Sequence, residues 1–447
     1  MAAAARTPVY RGSFGPAQAE RLLWRAGFGP RPGEAKRLAK KGLRGAVRSL
    51  TRPQGERFVG PKPIDDDKHP LAPYDAWGHD HLWWLDRMVR TSRPLVERMT
   101  LVWHDWFATS NSGVGSQKLM LSQNKLFRAH FLGSFEQLAL AVTRDPAMLL
   151  WLSGNENEKG SPNENYAREL MELFTLGAKR GYSERDVREQ ARALTGFRND
   201  WDDDEGPVRF RYDPKRHDTG TKRIFGKRGR FGWQDAVKLC VRHRLHPSFL
   251  VTKLWGYFIP TAPPPATRSA LERLYVRSHY NVRPVVEAIL RHPALYTGPR
   301  MVKPPAVFVA GMLRASRRGV DTEAWTWLSN QAGQQLFYPP NVAGWSDERW
   351  LDTASFLARW NLAGRVLRPS VLKTSEKAPY DADALLARAL AFWGKPPLSP
   401  RTKRALRAFA ARALADADRD WKKKQYPPLV ENALRHLIAV SPDLQTC

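Results

Sequence analysis

Apolar residues recur at three- and four-residue spacing along most of the chain, the period of a helix buried on one face. Leu22, Leu23 and Ala26 line one side of 17–26, and the Gly27-Phe28-Gly29-Pro30 turn stops that helix. Leu82, Leu85 and Val89 predict a helix over 81–90, and Pro94 opens another over 95–107, carrying Val96, Met99, Val102, Trp103 and Trp106. The same reading predicts helices over 117–131, 134–142, 163–176, 234–244, 247–258, 266–278, 283–292, 304–317, 322–332 and 353–366. Ser183 and Asp186 have the spacing of a capping box, which opens a helix over 186–195. β-formers gather in 208–212 and 222–225, joined by a turn-like segment. The fold class predicted is mainly α: an irregular multi-helix array with one small β-hairpin near 208–225. A main helical domain is expected over 1–366, with the hairpin insertion at about 200–232. A linker over 367–382 and a small helical subdomain over 383–447 follow.

Composition changes this picture in three ways. First, 42% hydrophobic residues and 17 Trp in 447 residues supply a sizeable core. Second, 72 Lys and Arg against 44 Asp and Glu leave a net charge of +28. Such a field attracts polyanions, although a solvated basic surface has the same composition. Third, the two cysteines, Cys240 and Cys447, exclude a disulfide framework and a thiolate metal site. No apolar run approaches the ~20 residues of a membrane span. The start, MAAAARTPVYRGS, carries an early Arg but no apolar export segment, so a cytoplasmic location is expected.

Several long blocks stand out: LLWRAGFGP at 22–30, VWHDWFATS at 102–110, NENYARELMELFTLG at 163–177, GYSERDVREQARALTGF at 181–197, HDTGTKRIFG at 217–226, FYPPNVAGW at 337–345 and AVSPDLQ at 439–445. In this order they resemble the bacterial domain of unknown function 1800 family, from near residue 16 to the end. The resemblance implies no established activity. Relatives often carry export signals and often sit in operons beside sulfatase/alkaline-phosphatase-like proteins, which makes such a protein a partner to consider. Many relatives resemble W-H-N-H-F in the second block and E-L-M-E-L-H-T-L-G in the third. Here Trp106 and Phe174 stand at those two histidine positions. Either a metal or acid/base pair has been lost, or one flat packing ring has replaced another.

Three constellations could carry chemistry. On a continuous helix Asn165, Glu169 and Glu172 share one face, with Arg168 one turn before Glu172. Two carboxylates one turn apart suit a hard cation or acid/base work, and equally suit a salt-bridged helix start capped by Asn163. In the block at 217–222, Asp218, Lys222 and a glycine turn suit an anionic oxygen, with His217 as a base. The structural alternative is a turn closed by Asp218 as an Asx-turn. His104, on an aromatic-rich helix, is either a core residue or a further base. Asn341 and Trp345, in the stiff Pro339-Pro340 loop, could wall a cleft. No serine nucleophile elbow, H-E-x-x-H, C-x-x-C or dinucleotide fingerprint is present.

Two functions follow. One is a hydrolase- or transferase-like pocket for a phosphorylated, sulfated or polysaccharide substrate. It would use Glu169, Glu172, His104 and His217, with Lys222, Asp218, Arg168, Asn165, Asn341 and Trp345 binding. The other is a non-catalytic basic protein that holds a polyanion or the sulfatase-like partner. Sequence-specific nucleic-acid recognition is not expected, because no reader motif is present. Neither a metal nor a cofactor is assigned.

Overall fold

A computed structural model describes residues 7–447. Part of the N-terminal stretch read above for an export segment, residues 1–6, lies outside the described residues. Helices dominate and only two small two-stranded antiparallel sheets occur among the described residues, so the chain is mainly α. No described helix is long and apolar enough to cross a membrane.

The chain falls into two compact units, each assembled from segments distant in sequence. One contains Val96–Leu295, Phe337–Trp345 and residues 7–10. The other contains Arg11–Leu95, Tyr296–Leu336 and Ser346–Cys447.

In the first unit, short helices begin where the sequence offers a cap. Ser116 accepts from Leu119 N at 3.4 Å and Ser134 from Gln137 N at 3.4 Å. Ser183 and Asp186 form the expected capping box, Ser183 N to Asp186 Oδ2 at 2.9 Å and Asp186 N to Ser183 Oγ at 3.3 Å. The helix it opens is Glu184–Ala193. The core is aromatic: the Phe107 ring lies 5.0 Å from Phe174 and 5.8 Å from Phe135, and Trp103 lies 5.7 Å from Trp106. Two buried polar links run through it. Glu97 takes both guanidinium bonds of Arg128 (2.7 and 2.8 Å), and Asp145 accepts from Gln123 at 2.8 Å.

The strand pairing differs from the expected hairpin. Strand β1, Phe197–Asp202, pairs with β2, Gly206–Tyr212. Strand β3, Lys222–Ile224, pairs with β4, Lys227–Gly229. So the expected partner of 208–212 is displaced by a strand from before it. The reason is local turn chemistry. Asp202 Oδ1 accepts from the N–H groups of Asp204 and Glu205, both at 3.0 Å, and Gly206 has φ 76°, which closes an acidic turn that reads in sequence as plain loop. Phe225 and Gly226 both have positive φ, 49° and 78°, the requirement of a tight two-residue hairpin turn.

In the second unit, helix Pro305–Ser316 is buried from Pro305 through Arg314. Gly311 is required there: a Cβ would collide with the Trp24 ring. Arg314 is satisfied inside the core by Gly29 O at 2.9 Å and Glu34 at 3.0 Å. The boundary expected over 367–382 falls within this unit, which runs unbroken from Ser346 to Cys447. Leu372 and Asn432 exchange two hydrogen bonds of 2.9 Å, which tie that stretch to helix Asp420–Val440.

Candidate functional site

All ten candidate residues lie in the first unit. Two of the sequence blocks meet at Asp105, on helix Pro94–Trp106. Its carboxylate accepts from Tyr257 Oη at 2.6 Å and from Trp345 N at 2.9 Å. Gly344, at φ 92°, packs so closely on Asp105 that a Cβ would collide with it. Asn341 is exposed, and its Oδ1 accepts from Ala343 N at 2.9 Å, an Asx-turn that shapes the same loop. His104 points into the core, with ring centroids of Phe337 and Trp345 at 5.6 and 5.4 Å. Burial pulls its pKa down to about 3, so the imidazole is neutral.

The helix expected over 163–176 is not one α-helix. An α-helix covers Asn165–Glu169, and a π-helix covers Leu170–Thr175. The wider turn aims three successive carbonyls away from the helical ladder, and each meets a side chain. Leu173 O accepts from Lys253 Nζ at 3.2 Å, Phe174 O from Trp106 Nε1 at 3.0 Å, and Thr175 O from His246 Nδ1 at 2.9 Å. Such outside donors sustain a π segment that would otherwise leave buried carbonyls unsatisfied. Trp106 and Phe174 are therefore neighbours, both buried. In this chain they pack: the Trp106 ring meets Phe135 at 5.7 Å and Phe249 at 5.8 Å, and carries the Lys253 ammonium 4.6 Å from its centroid. Burial lowers the Lys253 pKa to about 8 against the attraction of Asp105.

Of the carboxylates, Glu172 is 3.6 Å from Arg168. Arg168 also pairs with Glu164 at 3.0 Å and Glu184 at 2.7 Å, so one guanidinium ties three acidic side chains. Glu169 is half-buried, and its pKa is raised by burial and then by the charge of Glu172. Asn165 is exposed and is capped through its own N–H by Asn163 Oδ1 at 2.9 Å.

The 217–222 turn is closed on itself. Asp218 takes Arg192 Nε at 2.7 Å and Gly220 N at 2.8 Å. The buried Lys222 ammonium donates to the carbonyls of Asp218 and Gly220. His217 Nδ1 is 3.0 Å from Thr195 O, so that nitrogen carries a proton and donates it to the carbonyl. Thus His104, Glu169 and His217 each face a different set of neighbours. No group of three or more His, Cys, Asp or Glu among the described residues could hold a metal ion.

What the sequence reading passed over is the difference between paired and unpaired cations. On the first sheet, Arg198 and Arg211 stand opposite each other and are both neutralised. Asp200 takes Arg211 at 2.8 Å and Asp213 takes Arg198 at 3.2 Å. On the second sheet Arg223 stands opposite Arg228. Arg223, Lys227, Arg228 and, just beyond, Arg230 are exposed. None of these four has a carboxylate within ion-pair distance among the described residues. Like charges directly across an antiparallel pair are destabilising, so this arrangement is not one that folding favours. The hairpin is nonetheless well anchored: Phe225 N donates to Asp186 at 2.7 Å, Arg223 N to Glu189 at 2.8 Å, and the Phe225 ring meets His243 at 4.9 Å. The His243 pKa is lowered by burial, then by the nearby Arg244 and Lys227 charges, which extend the cationic face.

The chain matches the sequence model of the family described as "Protein of unknown function (DUF1800)" over residues 21–446. No curated protein and no solved structure matches it.

Proposed function

The chain belongs to the DUF1800 family of proteins of unknown function, and from its own surface we propose that it is a binding protein holding a flexible polyanion on the β3–β4 hairpin. The observation that carries this reading is the cross-strand Arg223–Arg228 pair, left without carboxylates beside an equivalent pair that has them. Lys227, Arg230 and Arg244 widen the face. A flexible polymer suits it, because the face offers a row of exposed charges that such a chain can follow. The net charge of +28 adds long-range attraction.

Catalysis by Glu169, Glu172, His104 and His217 asks these groups to meet around a substrate. Against that reading, Glu172 is shared with Arg168, His104 is stacked in the core and Lys222 is held by its own turn.

The test is binding of heparin, as a probe polyanion, across a salt series. On the counterion-release slope of charged polymers, about 0.7–0.9 per neutralised cation, replacing Arg223, Lys227, Arg228 and Arg230 with Gln should flatten the log K against log salt plot by about three. An unchanged slope in a folded variant would refute the assignment.

A further inference from the structure

A second site lies wholly within the second unit. Residues of helices Pro16–Arg25 and Pro305–Ser316 and of the turn Pro442–Gln445 line a cavity of about 250 Å³. Its walls are largely flat and apolar: Trp24, Phe308, Met312, Trp393, Pro396 and Pro397. Into this lining comes one ammonium. Lys303 is 2% exposed, its Nζ lies 3.6 Å from the centroid of the Trp24 ring, and it donates to Leu444 O at 2.6 Å. Among the described residues, only a carbonyl and a ring face are in direct contact with the ammonium, with no carboxylate at ion-pair distance, and a buried charge is costly unless fully paired. Glu20 also lines the cavity; burial raises its pKa, and the charges of Lys303 and Arg300 lower it.

The other cations of the lining are taken. Arg21 donates to the carbonyls of Tyr296, Gly298 and Pro299, and Arg300 to Asp443 at 3.1 Å and to the carbonyl of Thr446 at 3.2 Å. They raise the local potential without being available. Burial brings the Lys303 pKa down to about 7; Cys447 and Glu20 pull it up, while Arg300 and Arg359 push it further down.

We propose that this cavity binds a small planar organic anion, its carboxylate on Lys303 and its flat body against Trp24, Phe308 and Trp393. The volume sets the size, below the roughly 300–1,000 Å³ of drug-sized pockets. The aromatic and proline walls set the flatness, and the under-compensated ammonium sets the charge. This site is independent of the hairpin proposal.

The probe is 2-naphthoate, titrated calorimetrically into the full chain, with neutral 2-naphthylmethanol as its isostere. One site is expected, with naphthoate at least about tenfold tighter than the alcohol at pH 6. A bound carboxylate stabilises the ammonium, so binding takes up a proton. The naphthoate advantage should therefore fall as pH rises above about 7, by up to about tenfold per unit. Lys303→Met should keep the alcohol and lose the preference for naphthoate. Ala315→Trp, which places an indole in the cavity from another point of its lining, should abolish both while leaving the unfolding temperature near that of the parent. The hairpin variant should bind naphthoate as the parent does. Equal affinity for acid and alcohol, no binding at millimolar probe, undiminished binding by Ala315→Trp, or loss of binding in the hairpin variant would each overturn the proposal.

Discussion

Replacing Asp105 tests whether the blocks at 102–110 and 337–345 meet for structural reasons. Asp105→Ala removes the acceptor of the Tyr257 hydroxyl (2.6 Å) and of the Trp345 N–H (2.9 Å). Hydrogen bonds to a charged group are worth about 1.5–3 kcal/mol each. Asp105 and both donors are half-buried, so water recovers part of each and the lower figure applies. The expected loss is about 3 kcal/mol. For a unit of this size, about 2–4 °C is lost per kcal/mol, which gives a fall of roughly 6–12 °C in the thermal midpoint. Asp105→Asn keeps one carbonyl acceptor, and its amide can donate to the Tyr257 oxygen, so its loss should stay near 1 kcal/mol. Tryptophan fluorescence during heating gives the midpoints, and hydrogen exchange should quicken at Ala343, Gly344 and Trp345 in the alanine variant. If alanine sits within about 0.5 kcal/mol of the parent, or if asparagine is as damaging as alanine, Asp105 does not hold the loop.

Two buried ionisable groups give pH signatures of opposite sign. Lys253 has its pKa lowered from 10.5 to about 8, so between these values the unfolded chain binds the proton more tightly. Its contribution to stability therefore rises as pH goes from about 8 to 10.5, by at most about 3 kcal/mol, and Lys253→Met should remove that rise from urea midpoints. Asp145, which accepts from Gln123 at 2.8 Å and Met148 N at 3.0 Å, has its pKa raised by burial from 3.8 to about 7. Here the folded state keeps the proton, so stability is lost as pH rises from about 4 to 7. Asp145→Asn should gain up to about 4 kcal/mol on the parent over that window, and parallel curves would contradict the assignment.

Helices were legible because their cause is local. Leu82, Leu85 and Val89, or the Ser183–Asp186 box, announce a helix without help from the rest of the chain. The π segment was not, because it depends on Lys253, Trp106 and His246 reaching three carbonyls from far away in sequence. Without those donors the pattern of 163–176 reads as an ordinary amphipathic helix. The strand pairing was misread for a related reason: Asp202 and Gly206 make a turn whose signal is weak beside a run of acidic residues. The adjacency of Trp106 and Phe174 was not legible either, because the two rings are far apart in sequence and meet only through the packing of the core. Lys303 carried no motif at all. Its one sequence signal is a lysine set in the apolar run from Met301 to Ala310.

The cationic hairpin stands out because carboxylates are at hand and are directed elsewhere. Asp186 and Glu189 both face β3–β4, yet they take the backbone N–H groups of Phe225 and Arg223 rather than the guanidinium groups. Glu189 further pairs with Arg192 at 2.9 Å, which in turn holds Asp218. A rotation of either acidic side chain toward the solvent face would neutralise an arginine but release a strand N–H from its acceptor. The acids thus fix the position of the hairpin while leaving its side chains bare. Diffuse surface charge would have no reason to sit on so firmly anchored a scaffold. A face that must meet a polyanion does, since a backbone fixed beforehand lowers the entropy lost when the partner binds.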